Sequence, residues 1–338
     1  MLEQIRGALA EIGREYGDRR VQLCRLDAAA LDWGRCALTG AVLDGATLAG
    51  VHRGLAERFP GLAFDAGSVE VLRRPAPIHR VVATNLTGLY AEPSFLAEQL
   101  SQLLNGWPLE ILQEQERWCF VRQADGYLGW AYRPYLTGEI APAATHLVSE
   151  PVSLLRAAPA ADAALITCVP AGMAVAAREA VAGWSQVTLA GGLTGWAPDR
   201  DLRARAAWPA DESGHRAQIV ADAVRFIGVP YLWGGCTALG IDCSGFAQLL
   251  HRLVGLALPR DADMQYFAGR PVEPPYAPAD LLFFGEAAAR PKITHVAISL
   301  GGWRILHSSR SRNGVYEDDV QAVPHLRESF IAARTFVG

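Results

Sequence analysis

Two stretches of this chain carry the same residues at a fixed spacing, and that repeat limits the folds open to it. Leu89, Ala91, Pro93, Gly106, Trp118, Val121, Gly126, Gly129, Trp130, Ala131 and Leu136 recur 66 residues later, without a gap. Their counterparts are Leu155, Ala157, Pro159, Gly172, Trp184, Val187, Gly192, Gly195, Trp196, Ala197 and Leu202. Each copy holds short β-type runs broken by Gly, Pro and Asp, which fits a small barrel. Two copies suit separate domains, because a solenoid usually needs three or more repeats. The expected class is therefore multidomain α+β, in four parts: a small N-terminal α+β domain at 1–72, two barrels at 78–140 and 146–205, and a C-terminal domain at 212–338. Arg73-Arg74-Pro75-Ala76-Pro77 reads as a linker between the first two.

In the N-terminal part, Leu2, Ile5, Leu9, Ile12 and Tyr16 mark an amphipathic helix. Short strands are predicted around Val21–Leu23 and Cys36–Val42, a second helix over Thr47–Arg58, and a strand over Phe64–Leu72. No chemistry is readable there. His52 is expected on that second helix as a surface or packed residue.

The chain has a formal net charge of −4, with no basic footprint for nucleic acid or an anionic membrane surface. No apolar run reaches the roughly 18 residues of a transmembrane helix, and Met1–Arg20 lacks the apolar core of a signal peptide. Six cysteines are too few for a disulfide scaffold. Cys24 and Cys36 are open to pairing across a hairpin, but free thiols in a reducing cytosol are the preferred reading. No Cys or His cluster has zinc spacing, so neither a metal nor another cofactor is expected.

Chemistry concentrates in one stretch, Tyr231-Leu232-Trp233-Gly234-Gly235 followed by Gly240-Ile241-Asp242-Cys243-Ser244-Gly245-Phe246. Phe246, Leu249, Leu250, Leu253 and Val254 recur at helical spacing, with Asp242 where an N-cap belongs and Gly255 as the stop. Cys243 then falls in the first turn, where backbone N–H groups and the helix dipole favour a thiolate. That help is limited. A terminus worth about 1 kcal/mol raises the ionised fraction of a thiol at pH 7 from roughly 3% to about 15%. A nucleophilic cysteine also needs a base held by a third group. His295 lies on the alternating run Thr294–Leu300, and His307 on a second run, Trp303–Ser308. Tyr231 and Trp233 stand beside Gly234-Gly235, where backbone can approach a ligand, and are candidate pocket walls.

Together, Asp242-Cys243-Ser244-Gly245-Phe246, Leu258-Pro259-Arg260, Asp280-Leu281-Leu282-Phe283-Phe284, His295-Val296-Ala297 and His307 resemble the NlpC/P60 family of cysteine peptidases, which cleave bacterial cell-wall peptides. The resemblance covers about residues 212–338. It implies a papain-like NlpC/P60 α+β domain with Cys243 as nucleophile, His295 as base and His307 as the orienting third member. It also implies that Asp242 and Ser244 contact the γ-D-glutamyl portion of a substrate. For Asp242 the plainer role is helix capping, and the two are compatible.

The repeats, with their Trp-x-x-Val and Gly-x-x-Gly-Trp pattern, resemble bacterial SH3 domains. The copies differ where polar groups would matter: Glu92 aligns with Ala158, and Tyr127 with Leu193. The whole order resembles the YkfC-type γ-D-glutamyl-L-diamino acid endopeptidases, in which the first SH3 domain helps build the site. Glu92-Pro93-Ser94, Asp125-Gly126-Tyr127 and Pro259-Arg260-Asp261 match that pattern. By resemblance, Glu92, Tyr127 and Asp261 hold the substrate's N-terminal alanine. A buried ammonium needs such acids. Singly, each has a plainer reading: a turn acid, a hairpin surface residue and a helix cap.

The implied activity is hydrolysis of the γ-D-glutamyl-L-diamino acid bond in murein peptides with a free N-terminal L-Ala, releasing L-Ala-γ-D-Glu during cytoplasmic recycling of wall peptides. The alternatives are an exported hydrolase of intact wall, a non-catalytic wall-binding module, and an acyltransferase. The partner is the murein peptide; nucleic acid and membrane are not expected, and the oligomeric state is not readable. One geometric condition follows. A two-residue Gly301-Gly302 hairpin pairing Leu300 with Trp303 would put His295 and His307 on opposite faces. A shared site therefore requires a bulge or an odd loop there. His79, His146, His215, His251 and His325 have no partner pattern.

Overall fold

The computed structural model describes residues 1–139 and 143–338, so the expected end of the first barrel at residue 140 lies outside the described residues. The chain divides into two compact units, Met1–Arg80 with Leu109–Arg133, and Val81–Pro108 with Pro134–Gly338.

In the first unit, helix Leu2–Gly13 packs Ile5, Leu9 and Ile12 against Ala28, Leu38, Val51 and Leu55. Strands Cys24–Asp32 and Arg35–Val42 form an antiparallel hairpin, and Ala63–Val71 joins Arg35–Val42 in parallel after helix Gly45–Arg58. Asp44 caps that helix, its carboxylate accepting from the Thr47 amide at 2.9 Å. The strand expected at Val21–Leu23 instead begins at Cys24. Val21 closes a turn with Asp18, and the polar alternation of Arg25 and Asp27 masks the strand that follows. Cys24 and Cys36 are free: Cys24 stands opposite Val42 and Cys36 opposite Leu31, at different ends of the hairpin. Strands Pro108–Gln115, Trp118–Arg122 and Leu128–Tyr132 form an antiparallel meander. Leu112 and Leu128 of that meander pack on Leu23, Leu43 and Leu72.

The repeat is carried by strand positions as well as by residues. Strands Leu86–Tyr90, Gln99–Leu104, Trp118–Arg122 and Leu128–Tyr132 have counterparts at Val152–Arg156, Leu165–Pro170, Trp184–Thr188 and Thr194–Pro198. The second copy belongs to a seven-stranded sheet whose core joins Val148, Leu155, Val169, Val175, Val187 and Ala197 to Leu104 of the first repeat.

The C-terminal part is a six-stranded antiparallel sheet. Its order is Arg270–Val272, Phe330–Thr335, Leu281–Glu286, Lys292–Gly301, Arg304–Ser309, Gly314–Asp319. Helices Glu212–Ala223 and Cys243–Arg252 share one core with this sheet through Ile219, Phe246, Leu250, Phe283, Val296 and Leu306. The first of them starts at Glu212, where Asp211 caps it by accepting from the Gly214 amide. Among the described residues, no helix is long and apolar enough to cross a membrane.

Within the second unit, the first-repeat residue Asn105 is fully buried and binds across to the second repeat. Its amide donates to the carbonyls of Ala83 and Ala190, and its oxygen accepts from the Ala190 amide at 2.8 Å. Asn105→Ala strands three backbone groups, two of them on buried Ala190, and is expected to lower unfolding stability by about 2–4 kcal/mol, read as a reduced urea midpoint at unchanged slope.

Candidate active site

Cys243 opens helix Cys243–Arg252, and Asp242 caps it, accepting from the Gly245 amide at 2.7 Å. The cap takes Gly245 rather than Cys243, so the cysteine amide at the helix terminus is not consumed by it. Asp242 is itself gripped by Arg260, which is only 1% exposed. Arg260 Nη1 and Nη2 donate to the two carboxylate oxygens at 3.0 and 2.6 Å. Its remaining donors go to Ser244 Oγ, to the Gly235 carbonyl, and to Ser101 Oγ on first-repeat strand Gln99–Leu104. Burial works against the Arg260 charge, but the Asp242 carboxylate outweighs it and raises the guanidinium above its ordinary value.

That same strand supports the loop ahead of the cysteine. Gln102 Oε1 accepts from the Cys236 amide at 2.9 Å, Gln99 Nε2 donates to the Trp233 carbonyl, and the Trp233 indole donates to Glu98 at 2.9 Å. Gly234 has φ +72, and a Cβ there would fall on the Gln99 carbonyl oxygen, so glycine is required for this approach. Trp233 is 53% exposed and Tyr231 half-buried, with the Arg310 guanidinium over both rings at 5.1 and 5.4 Å. Burial raises the Tyr231 phenol, and the charge of Cys243 adds to it.

His295 Nε2 and His307 Nδ1 are 2.8 Å apart. They share a face because the hairpin contains a bulge: Ile298 pairs with Leu306 and Ser299 with Ile305, but Gly301 with Arg304. His307 takes His295 Nε2, which leaves Nδ1 as the nitrogen available to a thiol. On its other side His307 Nε2 lies 3.2 Å from Asp318 Oδ2, and Arg312 pairs with the second oxygen of that carboxylate. The amides of Val296, next to His295, and of Ser244 bear on the Cys243 sulfur.

Burial pushes the Cys243 thiol up to about 12, with the Asp242 charge adding to it, against the small lowering that the helix terminus was expected to give. Burial holds His295 down to about 3, with His307 contributing, and His307 down to about 4, with Arg312 contributing. Cys243 and His295 are nonetheless only half-buried by surface exposure, and water on the open side softens both shifts. The direction is the same for each: a neutral thiol faces a neutral imidazole.

Of the other residues singled out from sequence, Ser244 and Asp242 are buried with the partners just named. Glu92 is exposed on its turn. Asp261 occupies the N-cap position of helix Ala262–Ala268, and its side chain makes no capping bond there. Tyr127 is 3% exposed, so it is not a hairpin surface residue, and its amide donates to Asp125. Tyr127 belongs to the first unit, Glu92 and Asp261 to the second. His251 is fully buried, with Nδ1 2.8 Å from the Ala247 carbonyl, and burial holds it down to about 4. Sequence reasoning missed Asp318, Ser101, Gln102 and Glu98, and quoted Arg260 without a role. Among the described residues, no group of three or more His, Cys, Asp or Glu is placed to hold a metal ion.

Residues 228–335 match the NlpC/P60 family, and residues 83–138 match the bacterial SH3 domain. The chain is 28% identical to "Dipeptidyl-peptidase 6" of Lysinibacillus sphaericus, over 77% of this chain and 99% of that protein. It is 29% identical to "Gamma-D-glutamyl-L-lysine dipeptidyl-peptidase" of Bacillus subtilis, over 64% of this chain and 74% of that protein. The crystal structure of an NlpC/P60 family protein from Bacillus cereus has the same fold with a TM-score of 0.67 at 20% identity, covering 77% of this chain and all of that one.

Two outcomes are expected. Arg260→Met leaves the Asp242 carboxylate buried and unpaired and costs about 3–5 kcal/mol of stability. Ser101→Ala, in the first repeat, removes one acceptor from the same cation and costs about 2 kcal/mol; urea unfolding of both variants checks the order. Second, His251, His295 and His307 all titrate below the ordinary histidine value of 6.5. The unfolded chain thus binds protons that the folded chain does not, so stability is complete above about pH 6.5 and falls as pH drops toward 4. Thermal midpoints from pH 7.5 to 4.5 should decline on acidification; a flat or rising profile contradicts the assignment.

Proposed function

We propose, from the premise that residues 228–335 are an NlpC/P60 cysteine peptidase domain preceded by a bacterial SH3 domain, that the protein hydrolyses the γ-D-glutamyl-L-diamino acid bond of murein peptides with a free N-terminal L-Ala. The observation that carries the reading is the 2.8 Å contact between His295 and His307 on strands beside the nucleophile helix. The names of two relatives matched over most of their length, a dipeptidyl-peptidase and a γ-D-glutamyl-L-lysine dipeptidyl-peptidase, support the substrate class.

Cys243 Sγ attacks the γ-carbonyl carbon of D-Glu as its proton passes to His295 Nδ1, and the tetrahedral oxyanion meets the Cys243 amide. His295 returns the proton to the leaving amine of the diamino acid. Water, activated by the same imidazole, then cleaves the thioester and releases L-Ala-γ-D-Glu. Because neutral thiol and neutral imidazole are favoured before substrate arrives, proton transfer accompanies attack rather than preceding it.

Glu92 and Asp261 receive the L-Ala ammonium in this reading, Tyr231 and Trp233 wall the acyl side, and Asp242 and Ser244 line the D-glutamyl position. A free amine is what distinguishes released peptide from peptide still attached to its glycan. The reading therefore places the enzyme in cytoplasmic recycling rather than on intact wall. Sites built to pair a polar substrate group reject its blocked analogue by about 10⁴-fold.

The test uses L-Ala-γ-D-Glu-diaminopimelate and its L-lysine analogue, each with a free and an acetylated N-terminus, and follows dipeptide release. Cleavage of the free forms alone is expected, abolished in Cys243→Ala, with the preference for free amine shrinking at least 100-fold in Glu92→Gln. Equal cleavage of both forms would remove the amine site and favour a wall hydrolase. Silence on every peptide would reject the substrate class.

A further inference from the structure

Beyond the three residues of the proposed triad, the bond chain continues to a carboxylate that neither the family match nor the names of the relatives assign. We infer that Asp318, locked from behind by Arg312, is a positioning residue that fixes the tautomers of both histidines and keeps the lone pair of His295 available to Cys243.

The argument runs on donors and acceptors alone. Arg312 offers only N–H groups, and a carboxylate offers only lone pairs. Arg312 occupies Oδ1 of Asp318, and Oδ2 faces His307 Nε2 at 3.2 Å. His307 Nε2 must therefore carry the proton. A neutral imidazole carries one, so His307 Nδ1 is a bare lone pair. Across 2.8 Å that lone pair can only accept, so His295 Nε2 donates. His295 then has its single proton on Nε2, and Nδ1 is unprotonated, as a general base for a thiol must be. Burial, which holds both rings below their ordinary range, keeps them neutral so that the count stays at one proton each.

The surroundings fix the rings that carry this chain. Tyr316 lies edge-on to His307 with centroids 4.7 Å apart, and Phe284 packs against His295 at 5.7 Å. Tyr316 pairs with His307 across the strands, and Asp318 follows two positions later on the same face. The Asp318 side chain is 9% exposed, whereas Arg312 is 57% exposed. A surface ion pair of that kind contributes little to stability by itself. Its consequence is orientation: with Oδ1 taken, the carboxylate presents Oδ2 to His307.

Asp318→Asn makes this testable, because its amide has one acceptor where the carboxylate had two. Arg312 requires that oxygen, so the NH₂ turns to His307 Nε2. Both tautomers then invert, and His295 presents an N–H to the thiol. The expected result is a fall in kcat of about 10³-fold with KM within about threefold, in line with the roughly 10⁴-fold loss seen when a triad carboxylate is replaced by its amide and the tautomer is wrong. Alkylation of Cys243 by iodoacetamide at pH 7 is expected to slow at least tenfold. It is followed by tandem mass spectrometry that assigns the label to Cys243, since Cys168 is exposed and Cys236 shares its tryptic fragment.

The deciding variant is Arg312→Met combined with Asp318→Asn. Without the guanidinium the amide is free to turn its oxygen to His307, so kcat and alkylation should recover at least tenfold over Asp318→Asn alone. A purely structural role predicts the opposite, since the double variant has lost one more contact. Asp318→Asn within threefold of wild type, or a double variant no faster than the single, overturns the inference. It rests on the Cys243–His295 pair of the proposed function, but alkylation needs no peptide. A protein that cleaves none of the peptides yet shows this alkylation pattern would fail the substrate reading and keep the inference.

Discussion

One buried cation organises the site. Arg260 spends all five of its N–H donors inside the protein: two on the Asp242 carboxylate, one each on Ser244 Oγ, the Gly235 carbonyl and Ser101 Oγ. Taking a guanidinium out of water costs several kcal/mol, and only complete satisfaction of this kind offsets it. The arrangement yields position more than stability. Asp242 is the cap of the helix that presents Cys243, Gly235 lies in the loop that leads to it, and Ser101 belongs to the first repeat. A single planar group thus ties the terminus of the Cys243 helix to an SH3 strand, and the tie is short, directional and closed to water. Strand Gln99–Leu104 of the first repeat therefore helps hold the loop and helix terminus that carry Cys243.

The same burial sets the electrostatics of the reaction. A helix N-terminus favours a thiolate by about 1 kcal/mol, but enclosure of Cys243 beside the Asp242 charge works the other way and prevails. Enclosure also keeps His295 and His307 neutral. Such a pair gains nothing from a preformed ion pair and depends instead on where a single proton sits. That dependence explains why the rings are held so fully, with aromatic contacts to Phe284 and Tyr316 and a bond between the two imidazoles. Orientation here takes the place that charge has in more exposed cysteine sites.

Much of this was legible in sequence where the signal is local. The 66-residue repeat, the Asp242 cap and the apolar stripe behind Cys243 are matters of spacing along one element, and the folded elements begin where that spacing puts them. Features that depend on a partner far along the chain were not legible. Ser101 is 159 residues from Arg260, and nothing about a serine within an SH3-like strand marks it as an acceptor for a distant guanidinium. Asp318 was hidden differently. It stands in Glu317-Asp318-Asp319, which reads as a solvated acidic edge; only strand pairing turns Asp318 inward while Glu317 pairs with Arg304 at the surface. The strand at Cys24–Asp32 was placed too early because Val21 and Leu23 are apolar, whereas the Val21 and Gln22 amides close a turn on the Asp18 carbonyl.

The geometry of the two histidines rests on parity. Side chains alternate along a strand, so a one-residue change of register moves His307 to the opposite face of the sheet from His295. The bulge at Gly301 supplies that single residue, and it is pinned by its own bonds. Ser299, fully buried, accepts from the Gly301 amide through its hydroxyl at 3.0 Å and donates to the Gly302 carbonyl, while the Gly302 amide donates to Tyr276. Both glycines have positive φ, +114 and +63, which a side chain would oppose. A regular two-residue hairpin would satisfy the same backbone groups with less constraint. The bulged form is consistent with the requirement that both imidazoles meet on one face, and through His307 it also sets which strand neighbours can reach the site, Tyr316 and Asp318 among them.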